Sequence, residues 1–238
     1  MPLLDPRGTE EGRRRVRGPA GRVAFGDSAR DSVGQGLPAS LARPGTNVTG
    51  RSSQHFDLVP KMLQLFHEAV PEAGRIAVLV HAPNRFHQDA WAEARAAAQA
   101  LNVDLIRIEM QEAKGLDAAL DGVAKSNANA LFILPDDPAT FNLRRRIIAF
   151  ARERALPLLA PYGEFVEDGA LISYGESFED AARGVALYVD KLVRGTNPAE
   201  LPIAQPTRFE LTVNRKVANE LGITIPSSVL VRADRVIE

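Results

Sequence analysis

The chain has 238 residues, 45% hydrophobic and 25% charged, which is ordinary globular usage and enough length for one large or two small domains. A net charge of -1 supplies no global field to gather nucleic acid or an anionic membrane. With no cysteine there is no disulfide, thiolate nucleophile or thiolate metal site, and no run approaches the ~18 apolar residues of a membrane helix.

Residues 1–22 are rich in Arg, Gly and Pro and read as a disordered or atypical start. Arg13, Arg14, Arg15 and Arg17 resemble the basic end of an export signal, but Gly18-Pro19-Ala20-Gly21 follows where an apolar stretch is required. No aromatic residue is interleaved with these arginines, so they do not read as a nucleic-acid arm. Val23-Ala24-Phe25 reads as a short strand ending at Gly26-Asp27-Ser28. Gly34-Gln35-Gly36 then opens a short helix. The G-x-G-x-x-A spacing echoes a dinucleotide fingerprint, but the glycines lie well past the strand, so helix entry is the better reading. Asn47-Val48-Thr49 has the form of a glycosylation acceptor; it reads as a short strand leading into a crossover.

A βα alternation follows. Residues 56–69 are apolar at helical spacing, with Pro60 tolerated only in a first turn. Arg75 to Val80 is a buried strand, 85–101 an Ala-rich helix carrying Trp91, and Val103 to Met110 a more exposed, alternating strand. Residues 115–126 are helical. Ala130 to Leu134 is an apolar run that fits a strand covered on both faces, stopped by Pro135. A helix over 139–154 comes next, then Leu156-Pro157-Leu158-Leu159, whose proline suggests an edge strand. Tyr162 to Phe165 opens a short helix, Ala170 to Tyr174 is a strand, and 178–194 is a long helix ended by Gly195. Arg208 to Asn214 alternates as a strand and Val217 to Leu221 is helical. The pattern predicts an α/β protein with parallel sheets: 53–172 as one lobe (lobe two), and 23–52 plus 173–238 as a second, partial lobe (lobe one).

The four histidines have no metal-binding spacing, and neither a P-loop nor a nucleophile elbow is present, so no metal, cofactor or catalytic residue is expected. Arg144-Arg145-Arg146 reads as a solvated helix face. What remains is a ring of polar residues at strand ends: His81 and Asn84, Asp136 and Asp137, Tyr162 and Glu164, Ser173 and Tyr174. In open α/β sheets this edge takes ligands. Either aspartate also suits the cap of the helix after Pro138. A small polar solute fits such a ring, and an amino acid is a natural candidate. Asp137 is the choice for its ammonium, and Tyr162 or Tyr174 for a wall against its side chain.

Several long phrases carry a resemblance. "ASLARPGTNVTG", "AVPEAGRIAVLV", "GEFVEDGALISYG", "YVDKLVRGTNPAELPIAQPTRFELTVN" and "LGITIPSSVLVRADRVIE" resemble the ABC-transporter substrate-binding proteins of the tryptophan-binding type, from about Asp31 to Glu238. The resemblance implies two Rossmann-like lobes of the type I periplasmic-binding-protein kind, closing on a solute. It implies an importer component with ABC permease subunits as membrane partners, and a periplasmic or lipid-anchored location. By the same resemblance Thr49 and Tyr174 fall where the chain crosses between lobes, Ser28 faces the ligand from lobe one, and Asp137 lies in an acid-containing loop. The front departs from the family, lacking an export signal and several βα units. That leaves lobe one incomplete and reads as a truncated or frame-shifted form of a longer gene. The departure keeps a cytoplasmic ligand sensor on the same fold as the alternative, and an enzyme on a doubly wound fold as a third reading.

Overall fold

In a computed structural model of the chain, the described residues are 22–26, 40–52, 55–135 and 137–238. They divide into two compact units, Met1–Gln54 with Phe178–Thr207, and His55–Ser177 with Arg208–Glu238.

The described part of the first unit is small. Strand β1 (Arg22–Gly26) pairs in parallel with β2 (Val48–Ser52), from Arg22 opposite Val48 to Gly26 opposite Ser52. On its other side β2 meets the stretch before Thr207. The Ser52 N–H donates to the Ala204 carbonyl at 2.8 Å and the Ala204 N–H to the Gly50 carbonyl at 3.0 Å. This unit also contains the helix Phe178–Val193. Gly195, at φ +89°, ends that helix in the left-handed region glycine enters without steric cost, while the Thr196 N–H caps the Lys191 carbonyl at 3.0 Å.

The second unit is a seven-stranded sheet between two helical layers. Its strands are β3 (Arg75–His81), β4 (Asp104–Met110), β5 (Ala130–Ile133), β6 (Leu158–Ala160), β7 (Ile172–Gly175), β8 (Glu210–Asn214) and β9 (Arg235–Ile237), in the order β4-β3-β5-β6-β7-β8-β9. All neighbours are parallel except β7 and β8. The helices are α1 (His55–Ala69), α2 (Arg85–Leu101), α3 (Leu116–Lys125), α4 (Pro138–Glu153), α5 (Gly163–Glu167), then α6 (Phe178–Val193) in the first unit, α7 (Arg215–Glu220) and α8 (Ser227–Arg232). The apolar run of β3 divides by the period of two. Ile76, Val78 and Val80 pack with α1 and α2, while Ala77 and Leu79 pack with α3 and α4. Every residue of Ala130–Ile133 is fully buried, as the central position of β5 requires.

Three expectations change. The segment 208–238 joins the larger unit instead of lobe one, and so does 173–177. Leu211 and Val213 on β8 pack into the same core as Ile172, and pairing with β8 covers the edge that β7 would leave open. Second, the strand after Pro157 is not at an edge, since β6 lies between β5 and β7. Pro157 stands just before the strand, needs no N–H there, and accepts from the Leu131 N–H at 3.0 Å. Third, Pro60 is the sixth residue of α1 and not in its first turn, so the helix continues past a residue with no N–H for the carbonyl four positions back. Val103 to Met110 supplies the edge strand β4, half-exposed as its alternation implies. Residues 1–21, Ser28, the Gly34–Gly36 turn and Asp136 lie outside the described residues.

Candidate ligand-binding edge

The carboxyl ends of the parallel strands form one edge of the larger unit, and β5 is at its centre. Beyond β5 the chain passes Leu134 and Pro135 and enters α4. Asp137 is the cap of that helix, its side chain accepting from the Ala139 N–H at 3.1 Å and the Thr140 N–H at 3.4 Å. Thr140 Oγ1 donates back to the Asp137 carbonyl at 3.0 Å. The Asp137 side chain is only 3% exposed.

The same carboxylate has a second partner. His81, the last residue of β3, places Nδ1 3.1 Å from Asp137 Oδ1. A carboxylate can only accept, so Nδ1 carries the proton in this bond. The ring of His81 is 18% exposed, and among the described residues nothing bonds its Nε2.

A third side chain holds these two strand ends together. His87, in the first turn of α2, is fully buried. Its Nδ1 accepts from the His81 backbone N–H at 2.9 Å, and its Nε2 lies 2.9 Å from the Pro135 carbonyl. Only the neutral ring with its proton on Nε2 satisfies both bonds. One imidazole thus ties the end of β3 to the loop after β5.

An aromatic group stands on the same edge. Tyr162, just before α5, meets His55 edge-on with ring centroids 5.4 Å apart, and meets Phe141 at 6.0 Å. Phe141 lies in the first turn of α4, four residues after Asp137, with the Arg144 guanidinium 4.5 Å over its ring. Further along the edge, Glu164, Glu176, Glu210 and Arg235 surround a cleft bounded by Gly163 and Gly175. Its room of about 30 Å³ suits one or two waters.

The residues singled out in the sequence are therefore divided. Asp137 stands on the edge against His81, and Tyr162 on the same edge against His55 and Phe141. Glu164 is on the same edge at the water-sized cleft. Asn84 serves as the cap of α2, accepting from the Phe86 N–H at 3.0 Å. Tyr174 leans to the opposite face of the sheet, packed 6.1 Å from Phe209 in the α1–α2 layer, where burial first and the Asp234 charge second push its hydroxyl pKa up. Thr49 belongs to the smaller unit, buried, with Oγ1 donating to the Leu201 carbonyl at 2.7 Å. His55 and His87 carried no spacing signal. His87 was legible only as a histidine inside an apolar helix face. Among the described residues no group of three or more His, Asp or Glu could hold a metal ion, and no helix is long and apolar enough to cross a membrane.

Comparison with known proteins gives the context. The family description "ABC transporter substrate binding protein" matches residues 27–237. A curated tyrosine-binding protein of Clostridioides difficile (strain R20291) is 21% identical over 193 residues, which are 81% of this chain and 55% of that protein. The chain thus spans about half the length of that relative. Among solved structures, an ABC domain from Streptococcus pneumonia in complex with L-Trp superposes with TM-score 0.78 at 23% identity, covering 90% of this chain and 71% of that one. A conserved domain protein from Vibrio cholerae gives TM-score 0.77 at 22% identity, covering 94% and 80%. At these identities the likeness establishes the fold, that of type I periplasmic binding proteins.

Proposed function

We propose, for a chain that belongs to the ABC transporter substrate-binding protein family, that it binds an amino acid at the carboxyl edge of its larger unit and hands it to a membrane permease. The observation that carries this reading is that one edge holds both the Asp137–His81 pair and the rings of Tyr162, Phe141 and His55. A buried carboxylate system suits an ammonium, and an aromatic wall suits a flat side chain. The names of two relatives, one binding tyrosine and one solved with L-Trp, support an aromatic amino acid. Of the residues singled out in the sequence, Asp137 and Tyr162 are the proposed centre of the site, with Glu164 at its rim. Binding without turnover, an ABC importer as partner, and a periplasmic or lipid-anchored location complete the proposal.

The test is thermal melting with L-tyrosine, L-tryptophan and the remaining amino acids. A ligand that binds only the native state adds about 2.7 kcal/mol at a hundredfold excess over its Kd. A shift confined to aromatic amino acids is expected. A cooperative melt that no amino acid moves would overturn the proposal.

A further inference from the structure

We infer that the group meeting the solute's ammonium is the His81 imidazole, through Nε2, and that Asp137 is a positioning residue acting through it. The inference rests on the amino-acid reading above and changes which side chain does the recognising. Three observations carry it.

The first is access. The Asp137 side chain is 3% exposed, whereas His81, directly against it, is 18% exposed. An approaching ammonium reaches the ring before the carboxylate.

The second is occupancy. Asp137 Oδ1 already accepts from His81 Nδ1 and from the Ala139 N–H, each at 3.1 Å, and Oδ2 faces the Thr140 N–H. The carboxylate is committed to the helix cap and to the ring.

The third is polarity. The carboxylate holds a proton on Nδ1, so in the neutral ring it is Nε2 that stands as a bare acceptor. A bare acceptor selects a donor, and the donor every amino acid carries is its ammonium. The clamp supplied by His87 fixes where that acceptor stands. It holds the His81 backbone and the Pro135 carbonyl from a single buried ring, so β3 and the loop before Asp137 cannot drift apart without breaking one of its two bonds.

The two assignments predict different behaviour for Asp137→Asn. An asparagine oxygen in place of Oδ1 keeps both 3.1 Å bonds and the ring orientation, giving up only the longer contact to Thr140. If Asp137 met the ammonium itself, the same change would remove the principal partner.

The experiment is calorimetric titration of the full chain and two variants, Asp137→Asn and His81→Phe, with two probes. L-tryptophan carries the ammonium, and indole-3-propionate is the same skeleton without it. Wild-type protein should prefer L-tryptophan by about tenfold to a hundredfold, the range for one hydrogen bond to a charged group. His81→Phe keeps a flat ring but has no acceptor, and should abolish the preference. Asp137→Asn should retain most of it. A full preference in His81→Phe, or its complete loss in Asp137→Asn with His81 intact, overturns this inference alone. Failure of wild-type protein to bind either probe or L-tyrosine overturns the amino-acid reading, and this inference falls with it. A further measurement needs no solute: long-range ¹⁵N–¹H NMR of the free protein should show His81 protonated on Nδ1. A proton on Nε2, alone or together with one on Nδ1, would overturn the inference whatever the solute.

Discussion

His87→Leu removes the clamp across two strand ends while keeping a good helix former in α2. Leucine has no polar atom, so the His81 N–H and the Pro135 carbonyl both lose a partner that now stands 2.9 Å away. The replaced ring is fully buried, so water has no ready route to either group. Each orphaned buried group costs about 1–3 kcal/mol, and the pair roughly 2–6 kcal/mol. His87→Gln is the calibrating variant. Its amide nitrogen can take the place of Nε2 and donate to Pro135, while its oxygen lies too far out to replace Nδ1, so about half the loss should return. The assay is urea unfolding followed by the fluorescence of Trp91, the one tryptophan in the chain, which sits on the same helix one turn further on. The m-value should stay constant while the midpoint falls. A His87→Leu midpoint equivalent to less than about 0.5 kcal/mol of loss, within the range of ordinary surface substitutions, would refute the argument that this ring is a clamp.

Two further outcomes follow from local geometry. Gly175→Ala should destabilise the larger unit severely, because a Cβ there would lie 2.0 Å from the Pro161 carbonyl oxygen, which is backbone and cannot swing aside; an unchanged melting temperature would show that the β6–β7 crossover is looser than described. Glu68→Gln should flatten the acid side of the stability profile. The hydrogen bond from Arg232 is the main cause holding the Glu68 pKa below its ordinary 4.5, so the folded state binds this proton less readily than the unfolded one. That contribution is present above pH 4.5 and is lost as pH falls through the folded pKa, and a variant with the same acid-limb slope as wild type would contradict it.

The elements of the larger unit were legible because their signals are local. The apolar run Ala130–Leu134 announces a strand covered on both faces, and Pro138 after Asp137 announces a helix with its cap. What was hidden depends on pairings between distant segments. Nothing near Leu211 and Val213 says that their strand will run antiparallel beside Ile172, because alternation reveals a strand and not its neighbour. Pro157 misled for a related reason: a proline excludes a ladder bond at its own position only, and the strand begins at the next residue. Strand ends were legible too, so the sequence put Asp137 and Tyr162 at the carboxyl ends of their strands, where the structure also has them. It could not separate a cap from a ligand contact in Asp137. It also could not single out His87, whose importance lies in two backbone partners at positions 81 and 135.

The placement of β8 has a consequence for the order in which the protein is made. The larger unit is interrupted: Phe178–Thr207 belongs to the other unit, and only then does the chain return with β8 and β9. On a ribosome, β3 to β7 emerge first and leave one side of β7 without its hydrogen-bonding neighbour until Glu210–Asn214 has been synthesised and released. Throughout that interval the nascent chain presents an unpaired strand edge beside an apolar face, a template for pairing with another chain. Loss of the last thirty or so residues, by premature termination or by cleavage after Thr207, would turn that passing state into a permanent one.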